Sequence, residues 1–299
     1  MNEERGEDGP SDAAGSGRSG FAARLAAAVD RADSLVCIGL DPDPDRFPAS
    51  LGQAGDAGEA IVRFNAAIVA ATSDLVCAYK PNLGFYLAHG PAGVAALLET
   101  RRLIPPHVPV ILDCKVGDMA STAEAYARAY LDAWGFDAIT ASPYLGADAV
   151  APFLARGDRG IFILAKTSNP GGADLQDLTI RGGDHDQPLY LTVADLALGW
   201  AAQTTATIGL VVGATYPVEL SAIRAHAPGL PILLPGVGAQ SGDVAAAVQA
   251  GIDADHAGLI VSSSRAIIYA GSGPDFAEQA REATLDLRDT VNAARRSPG

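Results

Sequence analysis

The sequence predicts an α/β fold, a single (β/α)₈ TIM barrel with an extra N-terminal helix. Eight short, nearly continuous apolar runs recur along the chain, and segments of helical periodicity alternate with them. This alternation is typical of a parallel sheet covered by helices. A length of 299 residues accommodates eight such units in one domain. The alternative, an open doubly wound sheet, is disfavoured because no G-x-G-x-x-G follows the first run.

The apolar runs are rich in Val, Ile and Leu, as expected for buried strands. The predicted strands are 35–41, 75–82, 110–115, 138–142, 160–165, 208–213, 231–235 and 259–262. An Ala-rich helix at 21–32 precedes them. The helices that follow the strands are predicted at 58–72, 91–102, 121–134, 147–155, 189–204, 218–227, 242–250 and 276–294. Pro91 opens one of these helices, and Ser121 with Glu124 fits a capping box for another.

Two segments fall outside this alternation. Residues 1–20 are acidic and Gly/Ser-rich, without the basic and apolar regions of a signal peptide, and we expect a disordered tail. The barrel is expected to span 21–296 as the single catalytic domain. The polar, Gly-rich segment 168–187 is too short for a second domain, so we interpret it as an active-site flap.

Composition limits the possible partners. The net charge of −14 and the pI near 4.6 argue against a nucleic-acid or acidic-membrane partner. No window approaches 18 consecutive apolar residues, so no membrane span is predicted. The three cysteines lie in apolar runs without C-x-x-C spacing, which is typical of buried thiols in a reducing compartment. A cytoplasmic location is therefore expected.

Charged and polar side chains follow the first three predicted strands. Asp41 ends the first strand, Lys80 and Asn82 the second, and Asp113 and Lys115 the third. Alternation along a strand places Asp113 and Lys115 on the same face. Burying such a carboxylate and ammonium costs several kcal/mol unless they are paired. A structural ion pair is one interpretation, but the convergence of these groups at a barrel mouth favours a catalytic site.

A phosphate site is predicted after the seventh and eighth strands. Gly236 and Gly238 lie in the first of these loops, and Arg265 lies in the second. Glycines let backbone N–H groups approach an anion, and a guanidinium binds it with two hydrogen bonds. No metal site is predicted, because none of the histidines falls at a predicted strand C-terminus. They are His89, His107, His185, His226 and His256.

The third strand carries the pattern Asp113-x-Lys115-x-x-Asp118-x-x-x-Thr122. It resembles the D-x-K-x-x-D signature of the orotidine 5′-phosphate decarboxylase family. Further similar segments occur in the family's order, at 38–41, 79–82, 166–171, 235–240 and 264–267. The resemblance covers about residues 21–290 and is greatest to the longer branch often called type 2. Ser264 stands where commoner members have Gly.

The resemblance implies a reaction and an assembly. The reaction is decarboxylation of orotidine 5′-phosphate (OMP) to UMP without a cofactor, in de novo pyrimidine biosynthesis. Lys115 would be the proton donor, within a row of alternating charges that also contains Asp113, Asp118 and Lys80. The assembly would be a homodimer with shared active sites, in which Asp118 and Thr122 reach into the neighbouring site.

The resemblance also implies the substrate contacts. Asp41, Asn82 and Thr122 would hold the ribose hydroxyls or neighbouring charges, and Ser168 would bind the amide edge of the pyrimidine. The phosphate would be bound by the last two loops, through Gly236, Gly238, Gln240 and Arg265.

Two other functions remain open at this point. One is an Mg²⁺-dependent sugar-phosphate decarboxylase or aldolase of the same superfamily. Lys80 argues against it, since an ammonium beside Asp113 would repel a metal ion there. The other is a non-catalytic nucleotide-binding barrel, which would not need the complete set of acids and lysines.

Overall fold

The computed structural model describes residues 20–52, 54–182, 186–237 and 244–297. Its eight barrel strands are β1 Val36–Leu40, β2 Ala78–Pro81, β3 Ile111–Val116, β4 Ala138–Ala141, β5 Gly160–Lys166, β6 Thr207–Val212, β7 Ile232–Pro235 and β8 Leu259–Ser263. All are parallel, in the order β2-β1-β8-β7-β6-β5-β4-β3. Two bridges, Tyr79 to Val110 and Asn82 to Asp113, join β2 to β3 and close the barrel. The predicted fold class is confirmed.

Helices cover the outside of the barrel. The α-helices are Phe21–Ala32, Ala57–Thr72, Leu83–Leu87, Gly90–Leu103, Ala120–Ala127, Ala147–Leu154, Ala173–Gln176, Leu189–Ala201, Pro217–His226, Val244–Gly251, Arg265–Ile268 and Phe276–Arg296. A π-helix, Arg128–Ala133, continues the helix after β3. Short 3₁₀ turns occupy Pro44–Arg46, Ala49–Leu51 and Pro170–Gly172. Among the residues described, no helix is both long and apolar enough to cross a bilayer.

The barrel interior is filled from its N-terminal end. Phe21, fully buried at the start of the first helix, packs edge-on against Phe162 of β5 with ring centroids 5.8 Å apart. Cys37 and Cys77 belong to the same interior cluster, so the prediction of buried thiols is confirmed for these two, whereas Cys114 is only partly buried. Because side chains alternate along a strand, the next inward-pointing residue of each strand lies two positions further along the chain. These residues reach the C-terminal mouth of the barrel.

The capping box predicted at Ser121 and Glu124 is wrong. The helix begins at Ala120, its N-cap residue is Met119, and no side chain caps it. Glu124 instead accepts hydrogen bonds from both terminal nitrogens of Arg156, at 2.7 and 2.8 Å. Arg156 lies in the loop after the helix Ala147–Leu154, and a charge-assisted bidentate pair with it is stronger than a local cap, so the tertiary contact prevails.

Two segments are predicted to lie outside the alternation of strands and helices, 168–187 and 1–20. The segment 168–187 contains a short helix, Ala173–Gln176, and a two-stranded antiparallel ribbon, Thr179–Ile180 with Gln187–Pro188. It therefore has secondary structure over part of its described length, although most of its residues from 173 to 182 are exposed. Residues 1–19 of the expected tail lie outside the described residues.

Candidate active site

A cavity of about 450 Å³ opens at the C-terminal end of the barrel. It is lined by both charged and apolar residues: Lys80, Asp113, Lys115, Thr140, Leu164, Thr167, Ser168, Asn169, Gln176, Val211, Leu233 and Pro235. A cavity of similar volume, about 460 Å³, lies at the opposite end between the first helix and the strand starts. Its lining is mainly aliphatic and includes one carboxylate, Asp30. The charged groups therefore converge at the mouth where barrel enzymes place their chemistry.

Asp113 is the centre of the charged group. Its Oδ2 accepts a hydrogen bond from Lys80 Nζ at 2.9 Å, and its Oδ1 accepts one from Lys115 Nζ at 2.6 Å. Asn82 Nδ2 lies 3.4 Å from Oδ2. Each carboxylate oxygen is thus bound by a lysine, and the sequence prediction that these three charges meet agrees with this geometry.

The burial of these groups determines their electrostatics. Asp113 and Lys80 are only 8% and 4% exposed. Burial alone would raise the pKa of Asp113, but the charges of Lys80 and Lys115 outweigh it and hold that pKa well below its usual range. Burial likewise would lower the pKa of Lys80, and Asp113 and Asp41 raise it above its usual value. Both groups are therefore ionised at neutral pH.

Thr140 of β4 is a site residue that the sequence reasoning missed. Its hydroxyl donates to Asp113 Oδ1 at 3.0 Å and accepts from the backbone N–H groups of Cys114 and Lys115, at 3.1 and 2.9 Å. Lys115 has a left-handed backbone, with φ of 46°. The pairing of β3 with β4 shifts register between Leu112 and Val116. Thr140 therefore holds the irregular backbone that aims Lys115 into the cavity.

Asp41 lies at the end of β1, close enough to Lys80 to raise its pKa. Its Oδ1 is buried and has no hydrogen-bond partner in the described part of the chain. Its backbone oxygen accepts from the Tyr269 hydroxyl at 3.2 Å, which fixes the loop after β1 to the segment after β8. A buried carboxylate oxygen without a partner is suited to accept a hydrogen bond from a ligand.

Asp118 and Thr122 do not join this group within one chain. Asp118 accepts a hydrogen bond from the adjacent Met119 N–H at 2.7 Å, and Thr122 is exposed on the following helix. Neither residue lines the cavity.

The structure describes two of the four residues predicted to bind phosphate, Gly236 and Arg265. Gly236 has a left-handed φ of 93°, and a Cβ added there would lie 3.7 Å from Ser168 Oγ, so this loop adjoins the cavity wall. Arg265 is exposed at the start of its short helix, and the described residues provide it with no ion-pair partner. Gly238 and Gln240 lie outside the described residues, as does His185. Within the described ranges, no group of three or more His, Cys, Asp or Glu side chains is arranged to hold a metal ion.

The fold and the cavity define a class of protein: a (β/α)₈ barrel with a lysine–aspartate–lysine group at its C-terminal mouth, in which Lys80 and Asp113 are buried and Lys115 is half exposed. Residues 34–282 match the model of the orotidine 5′-phosphate decarboxylase / HUMPS family. Orotidine 5′-phosphate decarboxylase of Thermomicrobium roseum is 53% identical over 276 residues, which is 92% of this chain and 96% of that protein. The chain belongs to this family.

Solved structures agree with this assignment. Leishmania donovani OMP decarboxylase is 38% identical with a TM-score of 0.79, and the match covers 93% of this chain and all of that one. Leishmania donovani UMP synthase is 39% identical with a TM-score of 0.82. That match covers 94% of this chain but only 58% of the synthase chain, so the present chain spans just over half of that protein's length.

Proposed function

We propose that this enzyme decarboxylates OMP to UMP in pyrimidine biosynthesis, with Lys115 as proton donor and without a cofactor. The observation that carries the proposal is the placement of Asp113 between Lys80 and Lys115 at the wall of a 450 Å³ cavity. Membership of the family and relatives about half identical that carry the decarboxylase name support the same reaction.

The chemistry assigns a single task to Lys115. The bond between C6 of the pyrimidine and the carboxylate breaks, CO₂ leaves, and the electron pair remains on C6 as a vinyl carbanion. A proton from the Lys115 ammonium then forms the new C6–H bond, and solvent returns a proton to the amine. The side chain of Lys115 is 49% exposed. It therefore has access to both ligand and water.

Asp113 and Lys80 make that proton donor effective. Fixed charges stabilise a developing carbanion only if they are held in place before the reaction. Asp113 fixes the ammonium of Lys115 through the 2.6 Å contact, and Lys80 balances the buried negative charge. In this proposal Asp113 would also disfavour the substrate carboxylate by charge repulsion.

The remaining contacts divide between ribose, base and phosphate. The unpartnered Oδ1 of Asp41 supports a hydrogen bond to a ribose hydroxyl, with Asn82 alongside. Ser168, on the cavity wall, would bind the pyrimidine amide edge. The guanidinium of Arg265, which has no ion-pair partner among the residues that the structure describes, would bind the phosphate together with Gly236, Gly238 and Gln240. Binding energy from the remote phosphate can then be used to lower the barrier at C6.

The proposal includes a homodimer in which Asp118 and Thr122 complete the partner's site. Exposed apolar side chains follow β2, β3 and β4, next to these two residues. They are Phe85, Leu87, Met119, Tyr144 and Leu145. Met119 and Tyr144 are 69% and 77% exposed. Such a surface favours burial against a second copy. A cytoplasmic location, as expected from the cysteines, belongs to the same proposal.

The direct test is a spectrophotometric assay of OMP consumption with and without EDTA. We expect equal turnover in both conditions, with UMP as product. Mg²⁺-dependent turnover of a keto-sugar phosphate, abolished by EDTA, would favour the metal-dependent function instead. Tight UMP binding without any loss of CO₂ from OMP would favour the non-catalytic barrel.

The shared site is tested by mixing two inactive variants, Lys115→Ala and Asp118→Ala. In a random 1:1 mixture half of the dimers are mixed, and one of the two sites in each mixed dimer is intact. About a quarter of all sites would then be active. Recovery near that fraction supports contribution of Asp118 across the interface, and no recovery on mixing argues against it.

A further inference from the structure

Lys166, at the end of β5, is a buried lysine to which the proposed reaction assigns no role. It is fully buried, and it does not line the cavity. A buried ammonium requires a partner, because its removal from water costs several kcal/mol. The position of that partner therefore indicates what Lys166 holds in place.

The partner is Asp177, which follows the short helix Ala173–Gln176. Lys166 Nζ forms an ion pair with Asp177 Oδ1. The same nitrogen lies 4.6 Å from the ring centroid of Tyr216 and 5.9 Å from that of Tyr190. Asp177 is the only one of these four groups that belongs to the segment between β5 and the helix Leu189–Ala201, so the pair ties this segment to the barrel.

The pair closes a loop whose two ends are also joined by hydrogen bonds. Thr167 N donates to Gln176 Oε1 at 2.9 Å, and Gln176 Nε2 donates to Thr167 Oγ1 at 2.7 Å. The ends of segment 167–176 are therefore held together beside Lys166 and Asp177. The ion pair and these hydrogen bonds hold a short polar segment that has no apolar core of its own.

The closed segment forms one wall of the cavity. Thr167, Ser168, Asn169 and Gln176 all line it. Ser168 packs so closely on β6 that a Cβ at Gly213 would lie 2.8 Å from both its backbone nitrogen and its Cβ. The position of Ser168 thus depends on the segment being held against the end of the barrel.

We propose that Lys166 and Asp177 are positioning residues: their ion pair holds segment 167–176 as the cavity wall that contacts the pyrimidine base. The inference rests on the proposed function and deepens it, because it assigns recognition of the base to this segment. The pair touches no part of the ligand and acts through Ser168 and its neighbours. It therefore affects affinity for the base and not affinity for the ribose phosphate.

The test compares UMP with ribose 5-phosphate as ligands in calorimetric titrations of the full chain. Asp177→Asn should weaken UMP binding about tenfold, or ~1.4 kcal/mol, and leave ribose 5-phosphate binding within about threefold. Asp177→Glu, which keeps the carboxylate, should restore most of the UMP affinity. Asp174→Asn is the matched control and should change neither affinity, since Asp174 is an exposed acid on the short helix just before Asp177 and has no ion-pair partner in the described part of the chain.

A double-mutant cycle tests whether Asp177 affects UMP binding through Ser168. On a Ser168→Ala background, Asp177→Asn should cost clearly less UMP affinity than it does alone, because the two residues act in series. Unchanged UMP affinity in Asp177→Asn, or equal loss of both ligands, would overturn the inference while the proposed function stands. Failure of the unaltered protein to bind UMP would overturn both.

Discussion

Two buried aspartates lie at opposite ends of this barrel, and each is flanked by two cations. Asp113, at the C-terminal end, is 8% exposed and binds Lys80 and Lys115. Asp137, just before β4 at the N-terminal end, is 6% exposed and lies 3.3 Å from Arg24 and 3.1 Å from Arg101. Similar burial and charge thus occur at both ends, but the proposed active site lies at the C-terminal end.

The difference lies in the cations and in what they face. The guanidiniums at the N-terminal end also donate to backbone carbonyls, Arg101 to Gly135 and Arg24 to Asp158, so they bind the first helix and neighbouring loops together. A guanidinium does not release a proton in a protein. Lys115, in contrast, is half exposed on a cavity wall. In the proposed mechanism, Asp113 supports catalysis because Lys115 can give a proton to a ligand, whereas neither cation beside Asp137 can.

The largest expected difference between the two ends follows from removing each negative charge. Asp113→Asn should lower kcat/KM for OMP by at least ~10³-fold, about 4 kcal/mol, because the ammonium of Lys115 loses its fixed partner. Asp137→Asn, assayed per folded molecule in the same spectrophotometric assay, should stay within about threefold of the unaltered protein. A comparable loss of kcat/KM in both variants would contradict the difference in role between Asp113 and Asp137.

Removal of one of the two arginines that flank Asp137 should lower stability and leave activity unchanged. Arg101→Ala leaves Asp137 with one guanidinium and should lower the free energy of unfolding by about 2 kcal/mol, measured by urea denaturation. The adjacent Arg102→Ala is the matched control and should cost less than about 0.5 kcal/mol, because Arg102 is mostly exposed and, among the described residues, forms an ion pair with Glu99 alone. Loss of OMP turnover by folded Arg101→Ala would contradict a purely structural role.

Thr140 allows a finer test of the C-terminal group. Thr140→Val keeps the side-chain shape but removes the hydroxyl that binds Asp113 and the backbone of Lys115, so kcat should fall about tenfold. Thr140→Ser retains the hydroxyl and should stay within about threefold. Equal activity of the Val and Ser variants would show that the hydroxyl does not position Lys115.

The smallest expected effect is the loss of folding stability in acid that depends on Asp113. Because the pKa of Asp113 in the folded protein lies below its usual value of 3.8, the unfolded chain binds more protons in acid. Its ionisation therefore stabilises the fold above that value, and the stabilisation is lost as the pH falls towards the folded pKa. The unaltered protein should lose its stability advantage over Asp113→Asn by at most about 1.4 kcal/mol per pH unit between pH 5 and pH 3. A gap in urea-unfolding free energy that is constant over this range would contradict the assignment.

Local sequence patterns were sufficient to predict the strands and the meeting of Lys80, Asp113 and Lys115. Strand alternation fixes the side of Asp113, and barrel closure brings β2 beside β3. The same patterns could not predict the left-handed backbone of Lys115, because it depends on a register shift against β4 and on the Thr140 hydroxyl.

Competing tertiary contacts explain the other differences. The pattern of Ser121 and Glu124 fits a helix cap, but Arg156, in the loop after the helix Ala147–Leu154, binds the Glu124 carboxylate. Thr140 lies within an apolar run, and a lone hydroxyl there gives no signal until its neighbours across the sheet are known. Lys166 lies at the end of a predicted strand, but its partner Asp177 is 11 residues away, and only the folding of the intervening loop brings the two together.

The most direct test of the account is turnover of OMP by purified Lys115→Ala beside the unaltered protein, with UMP affinity and thermal unfolding measured on both. Because Lys115 is half exposed and Asp113 keeps Lys80, the variant should fold normally and still bind UMP. Its kcat should nevertheless fall more than ~10³-fold, about 4 kcal/mol. Full decarboxylase activity in the folded variant would show that another group delivers the proton to C6.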